Sequence, residues 1–194
     1  QARQKGLKLP IVYNCSGYEK VETLKMLDGI VDIYLTDFKY MDSLIAKRYS
    51  HAPDYFKYAS KALEEMVRQT GRVLFDESGM IKKGVIVRHL VLPGNVLNSK
   101  KVIKYLYETY GDDIYISIMS QYTPCTNLDK YPEINRKVTC DEYDRVVDFA
   151  HNVEGIKEVY ILGYSFGGAV SGLIANDDNC DGLVLISAAG NMPY

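Results

Sequence analysis

The chain has 194 residues, 47% hydrophobic and 25% charged, an ordinary globular composition that can bury one sizeable core. A formal charge of −2 and an isoelectric point near 6.0 give no sign of a nucleic-acid footprint, and no nucleic-acid partner is expected, although charge by itself selects no partner class. No apolar run approaches the length that crosses a bilayer and the start, Gln-Ala-Arg-Gln-Lys-Gly, has no signal-peptide core, so no membrane partner and a cytoplasmic location are expected.

Residues 1–8 read as the end of a helix stopped at Gly6. A short strand over 10–13 leads into the turn Asn14-Cys15-Ser16-Gly17, and Val21, Leu24 and Leu27 give helical spacing over 19–27. Residues 30–35 form a second apolar, β-branched strand, of the kind expected to lie under helices on both faces. Its far end releases Asp37 and Lys39, which the two-residue period points to one side. That end is where parallel α/β sheets hold ligands. The same pair also makes an ordinary solvated strand end with a local ion pair.

Next come a short helix over 43–49 and a longer one over 53–69, with Pro53 in its first turn. Asp76-Glu77-Ser78-Gly79 is turn material, and residues 84–92 are the most strand-like segment, closed by Pro93-Gly94. Ser99 is a suitable cap for a helix to about residue 110, followed by a strand over 114–119. Residues 121–137 are a long polar loop. Thr139 and Glu142 form a capping box for a helix to about residue 152. A strand over 159–162, a glycine-rich turn, a helix to about residue 175 and a strand over 183–186 complete the chain. The alternation predicts an α/β fold with a mainly parallel sheet.

Cys15, Cys125, Cys140 and Cys180 include no Cys-x-x-Cys pair and no three-cysteine run, so no metal ligand set is assigned and reduced thiols are expected. The 17 tyrosines mostly sit beside aliphatic residues and are expected to pack, with the hydroxyl at an edge. His89 is expected to face away from Arg88 as a packed or surface residue. His51 and His151 are assigned no role.

Thr36-Asp37-Phe38-Lys39-Tyr40, Val87-Arg88-His89-Leu90-Val91-Leu92-Pro93-Gly94 and Tyr131-Pro132-Glu133-Ile134-Asn135-Arg136 occur in an order that resembles radical SAM proteins related to pyruvate formate-lyase activating enzyme. The resemblance covers roughly residues 9–148. It implies the last four strands of a partial (β/α)6 barrel, binding S-adenosylmethionine beside a [4Fe-4S] cluster to generate a 5′-deoxyadenosyl radical for a protein substrate. Asn14 then stands where activating enzymes carry a carboxylate of a monovalent-cation site, and Asp37 matches another contributor to that site. Lys39 matches a contact to the S-adenosylmethionine carboxylate, Arg88 projects toward the same mouth, and Gln121 ends the last strand. The family's Cys-x-x-x-Cys-x-x-Cys loop and its Gly-Gly-Glu segment are absent from this sequence, so the chain alone is expected to be inactive in radical chemistry. A half-barrel also leaves its first strand as an open edge through which copies can associate.

Val159 to Gly168, with Gly163-Tyr164-Ser165-Phe166-Gly167, is similar to the nucleophile elbow of α/β-hydrolases. The resemblance implies Ser165 as nucleophile and the Phe166 N–H as an oxyanion donor, making a serine esterase or acyl hydrolase the alternative reading. No histidine follows Ser165, so the triad is expected to be incomplete and the serine unactivated. The two patterns imply a partial radical SAM barrel over 1–150 and a hydrolase-like β-α-β fragment over 151–194. Their junction falls between about residues 149 and 156, as in a composite or truncated reading frame. A non-catalytic fragment or interaction module is the third reading.

Overall fold

The computed structural model describes residues 3–125 and 128–153. The elbow with Ser165 and both strands expected beyond residue 158 lie outside the described residues. Among the described residues five strands form the sheet: β1 (Val12–Cys15), β2 (Ile33–Asp37), β3 (Leu74–Phe75), β4 (Ile81–Leu90) and β5 (Ile114–Met119). Between and after them come α1 (Val21–Lys25), α2 (Ser43–Ser50), α3 (Tyr55–Thr70), α4 (Val96–Tyr110) and α5 (Cys140–His151). The parallel path runs β1-β2-β4-β5, and β3 pairs antiparallel with the start of β4. The fold is therefore α/β with a mostly parallel sheet, the product of strands alternating with helical segments.

Alternation along the strands divides the sheet into two unlike faces. Tyr13, Cys15, Tyr34, Val85, Val87, Ile114, Ile116 and Ile118 pack into two apolar clusters with residues of α1 through α5. Leu35, Ile86 and Leu90, of the other parity, join neither cluster and stay half-buried. The expectation that helices cover β2 on both faces is thus corrected. Each β-α-β connection returns to the same side, and the described helices cover one face only. Among the described residues β1 pairs with β2 alone, and Val12 is 52% exposed.

Several element ends differ from the periodicity. β1 extends through Asn14 and Cys15, expected in a turn, because both pair in register with Leu35 and Thr36. β4 begins at Ile81 rather than residue 84 because Leu74–Phe75 folds back on it. The connecting turn is tied by Asp76 Oδ1, which accepts from Ser78 N at 3.0 Å and Met80 N at 2.9 Å. A two-residue strand leaves no periodic signal. Helix α4 starts before Ser99, which is buried inside it and turns its hydroxyl back toward the Asn95 carbonyl.

Other local signals have the expected structure. Thr139 and Glu142 make both bonds of the capping box on α5. Buried tyrosines place rings in the core and hydroxyls on partners, as in Tyr34 to Gln69 Oε1 at 2.6 Å and Tyr40 to Ser50 Oγ at 2.9 Å. Among the described residues no helix is long and apolar enough to cross a membrane.

Candidate functional site

Four of the residues singled out by sequence meet near the carboxyl ends of β1, β2 and β4, on the face that the described helices leave uncovered. Asp37 and Arg88 are direct partners in the parallel register. Arg88 Nη2 lies 2.7 Å and Nε 2.9 Å from Asp37 Oδ1, and Nη2 also donates to Asn14 Oδ1 at 2.9 Å. Lys39 Nζ stands 3.5 Å from Asp37 Oδ2. One carboxylate thus holds two cations, leaving one net positive charge at the mouth. The Asp37 side chain is 19% exposed and that of Lys39 38%, so the carboxylate is a covered anchor and the ammonium reaches toward solvent. Gln121, two residues beyond β5, donates its amide to Met119 Sδ at 3.5 Å.

Sequence reasoning missed Tyr55 and Asn98, and gave His89 and Gly17 no part, among the residues that hold this strand end in shape. The Tyr55 hydroxyl accepts from Lys39 N at 3.0 Å and lies 3.3 Å from both the Ser16 and Asp37 carbonyls. Burial pushes its phenol well above the ordinary value, keeping it a neutral donor. His89 Nδ1 lies 2.8 Å from the Phe38 carbonyl, which makes Nδ1 the protonated nitrogen. Of the two earlier alternatives the packed one holds, because His89 is fully buried and desolvation lowers its pKa to about 4. Asn98 on α4 donates to the Lys39 carbonyl at 2.9 Å and accepts from Met41 N at 3.0 Å. Gly17, at φ +80°, packs so closely that a Cβ would sit 2.0 Å from the Asp37 oxygen. Tyr55 opens α3 and Asn98 lies in the first turn of α4, and neither carried a local signal; Gly17 was visible only as a turn residue.

The motif from Tyr131 to Arg136 serves a different end. Glu133 accepts from Arg48 Nε at 2.5 Å and from the Tyr49 hydroxyl at 3.0 Å, and the Arg48 guanidinium lies 5.3 Å from the centre of the Tyr131 ring. Arg136 forms a two-pronged pair with Glu142, both bonds 2.7 Å. Glu142 also accepts from Gly94 N at 2.7 Å. These contacts strap the loop after β5 to α2 and α5.

The donor sets bear differently on the groups that the resemblance implies. Cys15 is half-buried with its thiol on Thr36 Oγ1 at 3.4 Å, and burial pushes its pKa up, away from a metal-binding thiolate. Cys125 and Cys140 are exposed, and among the described residues no three His, Cys, Asp or Glu side chains converge on one point. A [4Fe-4S] cluster does not fit these residues. For a monovalent cation, Asn14 Oδ1 and Asp37 Oδ1 are taken by Arg88, and Asp37 Oδ2 faces the Lys39 ammonium. A ligand carboxylate does fit, since an ammonium offers three protons and the carboxylate of Asp37 uses one side of Lys39.

No protein-family model matches the chain, and no solved structure matches it. The chain is 30% identical over 143 residues to the uncharacterized protein MJ0674 of Methanocaldococcus jannaschii. The match covers 73% of this chain but 38% of that protein, so the chain spans about two fifths of the length of this curated relative.

Proposed function

We propose that the described residues form the carboxyl-terminal strands of a radical SAM partial barrel of the activating-enzyme type, with the task of binding the amino-acid end of S-adenosylmethionine. One observation carries this reading: Asn14, Asp37, Lys39 and Arg88 converge on three adjacent parallel strands, on the face left bare of helices. Lys39 gives the ligand carboxylate a point charge on a long stem. Asp37 holds that ammonium in place, and Arg88 holds Asp37. When bound beside a [4Fe-4S] cluster, S-adenosylmethionine supplies a carbon radical for transfer to a protein substrate. The sequence has no cluster-binding cysteine loop, so binding and orientation are the share assigned to this chain.

Equilibrium dialysis with radiolabelled S-adenosylmethionine tests the assignment. Saturable binding is expected, competed by S-adenosylhomocysteine and weakened about tenfold in Lys39→Met, the loss of roughly one charge-assisted bond. Absence of saturable binding to the folded chain, or binding undiminished in Lys39→Met, ends this reading.

A further inference from the structure

The residues at the mouth disagree with the monovalent cation that the resemblance implies, and the disagreement has a definite chemical form. The Asn14 and Asp37 side-chain oxygens are bridged by one guanidinium, at 2.7 Å to Asp37 Oδ1 and 2.9 Å to Asn14 Oδ1, while Asp37 Oδ2 faces the Lys39 ammonium at 3.5 Å. We infer that the Arg88 guanidinium is a built-in replacement for a bound monovalent cation, so that the site takes its anionic ligand without sodium or potassium.

Three physical features support the replacement. Guanidinium is charged at every physiological pH and directs its protons in a plane, so it bridges an amide oxygen and a carboxylate where a spherical ion would need a fuller shell of oxygens. It is tethered to a central strand and is present at every copy of the site, with no dissociation step. A free cation entering here would stand beside both Arg88 and Lys39, and like charges in a partly buried site repel with little screening.

Asn14 completes the exchange. Being neutral, it accepts a guanidinium proton while leaving the mouth its net positive charge for an anionic ligand. An aspartate at this position would cancel that charge.

Sodium-23 magnetic resonance on the full chain in choline chloride, titrated with sodium chloride at constant ionic strength, reads the inference without any ligand. The wild-type linewidth is expected to match that of Asp37→Asn. Arg88→Ala, and Arg88→Met as the variant that keeps the apolar stem, are expected to gain broadening that a second change, Asp37→Asn, removes. Wild-type broadening abolished by Asp37→Asn overturns the inference, as does absence of any gain in a folded Arg88 variant. If neither Arg88 variant folds, the comparison of wild type with Asp37→Asn decides.

A second arm rests on the function proposed above: S-adenosylmethionine affinity should agree within about twofold among sodium, potassium and choline chlorides. A tenfold loss in choline sinks the inference. Failure to bind in all three salts sinks the functional reading instead and leaves the sodium measurement to stand alone.

Discussion

His89 Nδ1 lies 2.8 Å from the carbonyl oxygen of Phe38, the residue between Asp37 and Lys39, and this bond joins β4 to the end of β2 from the helix-covered face. The imidazole is buried and neutral, with its pKa lowered from 6.5 to about 4. The unfolded chain therefore binds a proton that the folded chain refuses. Stability is complete above pH 6.5 and falls as pH drops toward 4, by a total on the order of 3 kcal/mol, most of it lost by pH 4.5. Urea unfolding across this window should show the decline, and His89→Asn, which can keep a donor toward Phe38, should flatten it. A wild-type stability constant between pH 6.5 and 4.5 would contradict the assignment.

Carboxylates govern a lower window. Glu133 and Glu142 are held near 2, below their ordinary 4.5, chiefly by hydrogen bonds from Arg48 and Arg136 respectively. Their contribution is present above pH 4.5 and is lost as pH falls toward 2. Removing Glu142 also removes the capping box and the bond from Gly94 N. Glu142→Ala should thus cost about 1–3 kcal/mol in denaturant unfolding at neutral pH. A cost indistinguishable from zero would mean that the strap after β5 contributes nothing to the folded state.

Tyr55→Phe isolates the clamp on the site backbone. The ring keeps its place against Phe38, Tyr40 and Tyr18, while Lys39 N and the carbonyls of Ser16 and Asp37 lose the hydroxyl. The expected cost is about 1–2 kcal/mol. Hydrogen exchange should show the Lys39 amide losing protection more than its neighbours in β2. Equal protection in the two proteins would count against the clamp.

Gly17→Ala should be more damaging. The position needs a left-handed φ of +80°, and the added Cβ would meet the Asp37 carbonyl oxygen at 2.0 Å. Either the turn after β1 or the end of β2 must move, at a cost on the order of 3 kcal/mol. Gly79→Ala is the control: its φ is +76° but nothing lies within 4 Å of the added carbon. If the two variants unfold at the same urea concentration, the close approach at Asp37 is not what limits Gly17.

Much of the architecture was legible because it is local. The alternation of apolar runs with helical spacing, the strand over Ile114–Met119 and the capping box of Thr139 and Glu142 each depend on neighbours within a few residues, and the structure contains all three. The two-strand hairpin at Leu74–Phe75 was not legible, since so short a strand exists only through its pairing with β4. Ser99 misled as a cap because a serine can also turn its hydroxyl back onto its own helix.

The sequence by itself determined which chemistry was on offer: a carboxylate, an ammonium and a guanidinium near strand ends, and no cysteine loop to ligate a cluster. Tertiary structure alone decided that Asn14, Asp37 and Arg88, spread over 74 residues, are bonded to one another, and that Tyr55, His89 and Asn98 grip the backbone between them. The physical reason is range. Periodicity sets the direction of a side chain from its immediate neighbours, whereas a bond between strands depends on parallel register, which is settled only when the sheet assembles under its helices.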